Sequence, residues 1–297
     1  MKILNFGSCN IDYVYQVEHI VRPGETSPTQ NLNLFAGGKG LNQSVAAARA
    51  GAKTYHAGCI GFDGGMLRDI LIRSGVNIDY LMQKDSQNGH AIIQVDNKGE
   101  NSILVHKGTN GLLAKEDIDR ILAAFDNQTL VMLQNEMSNT AYIMEAAKKR
   151  GLRVMFNPAP FSQDLEEIDL KLVDFLILNR TESLFLLKTN DAETINTLIK
   201  EKYPHLTVLL TLGKDGAIVI QKDAFFTMPA FCVSAVDTTA AGDTFAGYFT
   251  AGLSSNTNLR QCILQATAAA AICVGKPGAA PSIPTMDEVL VFLKNHC

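Results

Sequence analysis

A regular alternation of two kinds of segment runs through this chain and leaves few folds open to it. Short runs rich in β-branched and other apolar residues occur at Lys2–Phe6, Thr54–Ile60, Leu130–Leu133, Leu152–Phe156, Phe175–Leu178, Thr207–Thr211 and Ala217–Ile220. Segments of helical period fall between them at Leu41–Ala50, Met66–Ser74, Thr140–Arg150 and Ala192–Lys202. Gly51, Gly75 and Gly151 follow the first three, and Pro204 lies just past the fourth. These are ordinary helix stops, because glycine accepts the left-handed backbone that ends a helix and proline cannot continue one. Strand and helix alternating at this spacing pack as right-handed βαβ units. The fold class expected is therefore α/β, with a mainly parallel sheet covered by helices on both faces.

Two regions break the alternation. Tyr13–Phe35 carries the turn Arg22-Pro23-Gly24-Glu25 between extended runs. Gly89–His106 reads as a hairpin, with Asp96-Asn97-Lys98-Gly99 between Ala91–Val95 and Ser102–His106. Neither piece suits a doubly wound core. They are expected to form a small projecting sheet, a lid built from about 13–35 and 89–107 on a single domain spanning 1–297. Ligands bind outside the carboxyl ends of strands in such cores, so a sheet projecting there can close over them.

Composition excludes several function classes. Net charge is −4, from 26 basic and 30 acidic residues without a block of either sign, so there is no basic face for nucleic acid or an anionic membrane. No apolar run approaches the roughly 18 residues of a membrane span. The opening Met1–Gly7 lacks the pattern of a secretory leader, and a cytoplasmic location is expected. The six cysteines are scattered, with no CxxC pair, so neither a zinc site nor a disulfide framework is indicated.

Five stretches carry chemistry. Asp237-Thr238-Thr239-Ala240-Ala241-Gly242-Asp243 precedes an apolar helical run, Ala246–Leu253. Small residues at a helix start leave the N–H groups of Ala241, Gly242 and Asp243 free to hold an anion. Asp243 among those donors suits a general base, or alternatively only a helix cap. Ala36-Gly37-Gly38-Lys39-Gly40-Leu41-Asn42 opens another helix and lacks the Walker spacing, but presents Lys39 and Asn42 to a polyhydroxylated ligand. Asn10 and Asp12 follow the first strand, where hydroxyls can be bound. The tetrapeptide Asn77-Ile78-Asp79-Tyr80 repeats residues 10–13 and is assigned a connecting role. Asn179 and Glu182 at a helix start suit Mg²⁺-bound water, and Thr211–Gly216 suits a nucleotide.

Taken together, these segments resemble the ribokinase-type carbohydrate kinases of the PfkB family, essentially end to end. The resemblance rests on the Gly-Gly-Lys-Gly turn at 37–40 with Asn42, on Asn179-x-x-Glu182, and on the full Asp237–Phe245 signature. It implies a three-layer α/β/α core with a β-sheet lid, and Mg·ATP-dependent phosphorylation of a sugar hydroxyl. It makes Asp243 the catalytic base, with Gly242 and its neighbours Ala240 and Ala241 as the anion hole. Sugar ligands are then Asn10, Asp12, Gly38, Lys39, Asn42, Glu136 and Asp243. ATP neighbours are Asn179, Thr211, Gly213, Gly216, Gly242 and Thr267, and Glu182 acts on Mg²⁺ through water. An activating monovalent cation, usually K⁺, falls to Asp237, Thr239, Cys273, Lys276, Gly278 and Ser282, mostly through backbone carbonyls.

The resemblance departs at Met66, which stands where many relatives have glycine, and at Pro277, which stiffens the cation loop. The acidic and amide-rich ligand set favours a small sugar, with D-ribose phosphorylated at its 5-hydroxyl as the expected reaction. A nucleoside acceptor, with Tyr13, Tyr15 or Phe35 stacking its base, is the alternative; so are deoxyribose, pseudouridine and fructose, or a silent sugar-binding protein. A free lid edge also leads to the expectation of a homodimer formed through the lid.

Overall fold

A computed structural model describes residues 1–162, 165 and 168–296. In chain order the elements are β1 (Lys2–Phe6), β2 (Asn10–Gln16), β3 (Asn31–Gly37), α1 (Lys39–Arg49), β4 (Thr54–Ile60), α2 (Gly65–Arg73), β5 (Asn77–Gln83), β6 (Gly89–Val95) and β7 (Asn101–His106). Then come α3 (Lys115–Ala123), β8 (Thr129–Gln134), α4 (Thr140–Lys149), β9 (Arg153–Asn157), β10 (Phe175–Asn179), α5 (Arg180–Leu186), α6 (Ala192–Lys202) and β11 (Thr207–Thr211). The chain closes with β12 (Ala217–Gln221), β13 (Ala224–Met228), α7 (Ala241–Ser254), α8 (Leu259–Val274) and α9 (Met286–His296).

The main sheet has nine strands in the order β13-β12-β11-β10-β9-β8-β1-β4-β5. Seven run parallel from β11 to β5, and β12 and β13 are added antiparallel at one edge. Alternate residues of a strand face opposite sides, and both sides here are apolar. Leu130 and Met132 of β8 join one buried cluster, with Leu41, Phe249, Ile263 and Val289 from α1, α7, α8 and α9. Val131 and Leu133 join the other, with Ile118, Ile143 and Ile199 from α3, α4 and α6. Two such clusters make the three-layer core that the alternation predicts.

The second sheet has the order β3-β2-β6-β7. The β6–β7 hairpin closes through Asp96, whose Oδ1 accepts from the Lys98 and Glu100 N–H groups at 2.8 and 3.0 Å, while Gly99 supplies the left-handed φ of 81°. Asn10 and Asp12 belong to this sheet, on β2, rather than to a loop after β1.

One expectation is corrected. Asn77-Ile78-Asp79-Tyr80 is not a connector: it opens β5, the edge strand paired in parallel with β4. Its copy at 10–13 opens β2 in the other sheet. Both copies are strands, because β-branched and aromatic residues at period two favour extended backbone wherever a partner strand is available.

Five cysteines are free thiols, and Cys297 lies outside the described residues. Among the described residues no helix is long and apolar enough to cross a membrane.

Candidate active site

The parallel strands end on one side of the core, and each end delivers a polar residue there. Gly7 and Ser8 follow β1, Asn135 and Glu136 follow β8, and Asn157, Asn179 and Thr211 end β9, β10 and β11. The strand order reverses between β1 and β8. Open α/β sheets bind ligands at such a switch point. There Glu136 accepts from Ser8 Oγ and, at 2.9 Å, from the Lys39 N–H that opens α1. The Ser8 hydroxyl in turn accepts from Gly40 N–H at 3.1 Å. Sequence reasoning missed Ser8, because a lone serine after a strand carries no distinguishing signal.

Asp243 lies in the first turn of α7 and is buried. Ala240 caps that helix through its backbone, at a left-handed φ of 61°. Such a conformation costs a non-glycine residue about 1–2 kcal/mol. The Asp243 side chain is not used as a cap. Its Oδ2 accepts from Asn42 Nδ2 at 3.1 Å, and its Oδ1 accepts from Gln43 Nε2 at 3.0 Å. Ala241 differs from expectation, since its N–H donates to the Thr238 carbonyl at 3.3 Å and is not free. Among the described residues no backbone carbonyl accepts from the Gly242 or Asp243 N–H groups. The helix dipole adds to their pull on an anion.

Two clefts meet at this helix start. One is a polar cleft of about 190 Å³, lined by Lys39, Asn157, Asn179, Glu182, Gly242 and Asp243 among others. The second is largely apolar, of about 320 Å³, lined by Gly213, Gly216, Phe231, Val233, Phe245 and Thr267 among others. Thr211, Thr238 and Gly242 border both. Asn179 therefore sits on the polar side of the junction with Thr211 and Gly242, apart from Gly213, Gly216 and Thr267. Its side chain caps α5 by accepting from Glu182 N–H at 2.9 Å, and Glu182 answers by accepting from Asn179 N–H at 2.9 Å.

Acidic groups gather around Asp243. Burial pushes Asp12 up to about 7, with the Glu136 and Asp243 carboxylates adding to the effect. Burial also raises Glu136 despite the opposing Lys39 ammonium, and it raises Glu182. Asp243 holds the Lys39 ammonium above its ordinary value in spite of burial, with Glu136 assisting. Asn10 is held by Asn110, whose Nδ2 donates to Asn10 Oδ1 at 2.7 Å, so the Asn10 amide N–H groups stay available to a ligand. Gly38 provides a φ of 93° at the cap of α1, a conformation that glycine adopts without penalty.

Behind α7 the expected cation residues come together. Asp237 accepts from Thr239 N–H and Gly278 N–H, each at 2.9 Å. Burial works against these bonds, but together they hold its carboxyl below the usual range. Cys273 Sγ lies 3.0 Å from Ser282 Oγ and 3.7 Å from the Thr239 carbonyl. The Lys276 side chain turns away to Glu288, at 2.7 Å. Among the described residues no cluster of three or more His, Cys, Asp or Glu side chains can hold a metal.

The pfkB family carbohydrate kinase profile matches residues 1–286. The chain belongs to this family. Among curated PfkB relatives, the ribokinase of Haemophilus influenzae is 37% identical over 97% of both chains. Among solved structures, a ribokinase from Cryptococcus neoformans in complex with ADP is 36% identical, with a TM-score of 0.86 over 98% of this chain and 99% of its own. Arabidopsis thaliana ribokinase complexed with ribose and ATP is 29% identical, with a TM-score of 0.87 over 99% of this chain and 98% of its own. A PfkB carbohydrate kinase transfers a phosphoryl group to a sugar hydroxyl.

Proposed function

We propose that this chain phosphorylates D-ribose at its 5-hydroxyl, with ATP as donor and Asp243 as general base. One observation carries the reading: Gly242 borders both the polar and the apolar cleft, and Asp243 beside it lines the polar one. A sugar hydroxyl in the first cleft and a nucleotide phosphate reaching in from the second would come together there.

In the proposed reaction Asp243 takes the hydroxyl proton as the oxygen attacks the γ-phosphorus in line with the leaving ADP oxygen. The Gly242 and Asp243 N–H groups receive the charge on the transferred phosphoryl, and Lys39 adds a cation on the same side. Asn10, Asp12, Asn42 and Glu136 hold the sugar. Asn42 Oδ1 is buried without a partner, and a sugar hydroxyl would satisfy it. The lid shields the transfer from water.

The lid also bears on the acceptor. Strand register puts Asp12 opposite Phe35 and Ala91, while Tyr13 and Tyr15 point to the other face. Of the three lid aromatics, Phe35 alone shares the Asp12 face, which favours a small sugar over a base-bearing nucleoside.

Mg²⁺ accompanying ATP fits Glu182 through water, since one Glu182 oxygen is engaged by the helix cap and the other is left to water. A monovalent cation such as K⁺ fits the Asp237, Thr239, Cys273, Gly278 and Ser282 surroundings, where hard oxygens gather and the Lys276 ammonium points elsewhere. When bound, the ions neutralise phosphate charge and steady the loop before α7. The use of ATP fits a cytoplasmic enzyme, and exposed lid leucines fit a homodimer.

The reading is tested by ADP release with ribose, deoxyribose, fructose, adenosine and pseudouridine, alongside Asp243→Asn. Ribose-dependent turnover that falls by about 10²–10⁴ in the variant is expected. Turnover with a nucleoside alone would overturn the acceptor assignment, and an active Asp243→Asn would overturn the base.

A further inference from the structure

Two side-chain amides reach Asp243 from α1, and one of them is locked from behind. Asn42 donates to Oδ2 but leaves its own oxygen without a partner. Gln43 is fully buried and fully satisfied. Its Nε2 donates to Asp243 Oδ1 at 3.0 Å and to Asn157 Oδ1 at 3.2 Å, and its Oε1 accepts from Gln134 Nε2 at 2.7 Å. Asn157 spends its own N–H on the Ile177 carbonyl at 2.9 Å, so its oxygen faces Gln43.

The orientation is set further back. Gln134 Nε2 also donates to Asn5 Oδ1 at 3.0 Å. Asn5 Nδ2 donates to the Gly40 carbonyl at 2.7 Å and to Ser44 Oγ at 2.8 Å. Ser44 Oγ also lies 2.8 Å from His56 Nδ1. Burial holds the His56 imidazole down to about 4, and so neutral. Its other nitrogen faces Cys9 Sγ at 3.3 Å. The amides of Asn5, Gln134 and Gln43 each have their orientation set by their partners, and the row ends with an N–H aimed at Asp243. Reversing the Gln43 amide would set oxygen against oxygen at both Asp243 and Asn157, a cost that rises in a dry interior.

We propose that Gln43 is the positioning residue for the base: it fixes the Asp243 carboxylate toward the cleft and favours its ionised form. Its amide is wholly engaged by protein partners, so it acts through Asp243 rather than on the sugar or nucleotide. This rests on the reading of Asp243 as general base. The other ionisable groups facing Asp243 are Lys39 from α1, Asp12 from the lid, Glu136 after β8, Glu182 on α5 and Cys273 on α8. None of them is changed in the test.

The test compares the wild type, Asp243→Asn, Gln43→Met, Gln43→Glu and Gln134→Met. It measures pH profiles of kcat/KM for ribose, ribose affinity by calorimetry, and melting temperature. Removing an N–H bond from the charged form, or adding a carboxylate beside it, makes the base harder to ionise. The acid limb is therefore expected to move to higher pH, by about one unit in Gln43→Glu, with ribose affinity within about threefold of wild type. Gln134→Met, which frees the Gln43 amide to turn, should show a smaller shift of the same sign. If Gln43→Met does not fold, the near-isosteric Gln43→Glu carries the test, and Gln134→Met does so if neither folds. A uniform loss of rate at every pH, with the limb unmoved, would mean that Gln43 only supports the fold, and would overturn the proposal. An inactive wild type or an active Asp243→Asn would instead remove the premise that Asp243 is the base.

Discussion

Gly247 on α7 and Ala46 on α1 touch so closely that a Cβ on Gly247 would lie 2.4 Å from the Ala46 Cβ. The same atom would be 2.8 Å from the Gln43 carbonyl oxygen. This contact sets the spacing of the two helices one turn beyond the point where Asn42 and Gln43 reach Asp243. Gly247→Ala is expected to push the helices apart, to destabilise the protein by about 1–3 kcal/mol, and to lower kcat. Denaturant melts and steady-state kinetics check this; unchanged kcat in a destabilised variant would mean that the site absorbs the shift.

Gly37 plays a local part beneath the lid. A Cβ there would fall 2.0 Å from Asp12 Oδ2, inside any permitted contact. Gly37→Ala should displace the Asp12 carboxylate and raise the KM for ribose at least tenfold, as expected for loss of a hydrogen bond to a charged group. The KM for ATP should stay near its original value.

Asp12 gives the site a dependence on pH. Its carboxyl is pushed up to about 7, so the folded chain holds that proton more tightly than the unfolded chain does. The stability this contributes is present while the proton is bound and is lost as pH rises toward 7. Asp12→Asn should therefore melt higher than wild type at pH 8, with the difference shrinking toward pH 4. Ribose affinity of the wild type should strengthen as pH rises through 7, where the better acceptor forms, and calorimetry should show this rise absent from the variant.

Asp237 joins the loop before α7 to the loop after α8 through its bonds to Thr239 and Gly278. Replacing K⁺ with a bulky organic cation should slow the wild-type enzyme. Asp237→Ala should be slow in either salt, with most of the salt response gone. A variant that keeps the full response would place the cation elsewhere.

On the lid, Leu34, Tyr13, Ile92 and Leu104 form one row across β3, β2, β6 and β7. Leu34 and Leu104, at its two ends, are 49% and 67% exposed. An apolar row of this kind on a free sheet favours a second copy of the chain. Leu34→Lys combined with Leu104→Lys should turn a dimer into a monomer on light scattering. A wild-type chain that is already monomeric would remove the dimer from the functional reading.

Much of this was legible in one dimension. Strand and helix signals are local: β1, β4, β11 and α6 keep the bounds that their own residues predict. The Asp96–Gly99 turn is also local, because its bonds join neighbours in sequence. Less legible was anything that depends on a distant partner. Asn77–Tyr80 reads as a connector until β4 is there to pair with it. Asn42-Gln43-Ser44 is a polar run in an otherwise apolar helix, and the periodicity gives no reason for all three to be buried. That run was the available sign of Gln43.

Sequence alone determined the α/β class, the lid hairpin and the place of Asp243 at a helix start, because backbone propensity and short-range hydrogen bonding decide those. Only the tertiary structure decided that the Asp243 side chain is held by Asn42 and Gln43 instead of capping its helix, that Ala241 spends its N–H on Thr238, and that Tyr13 and Tyr15 turn from the Asp12 face. These depend on groups as many as 201 residues apart meeting at hydrogen-bond distance. Contacts of that kind are fixed by how the two sheets and α1 and α7 pack, which no local segment encodes.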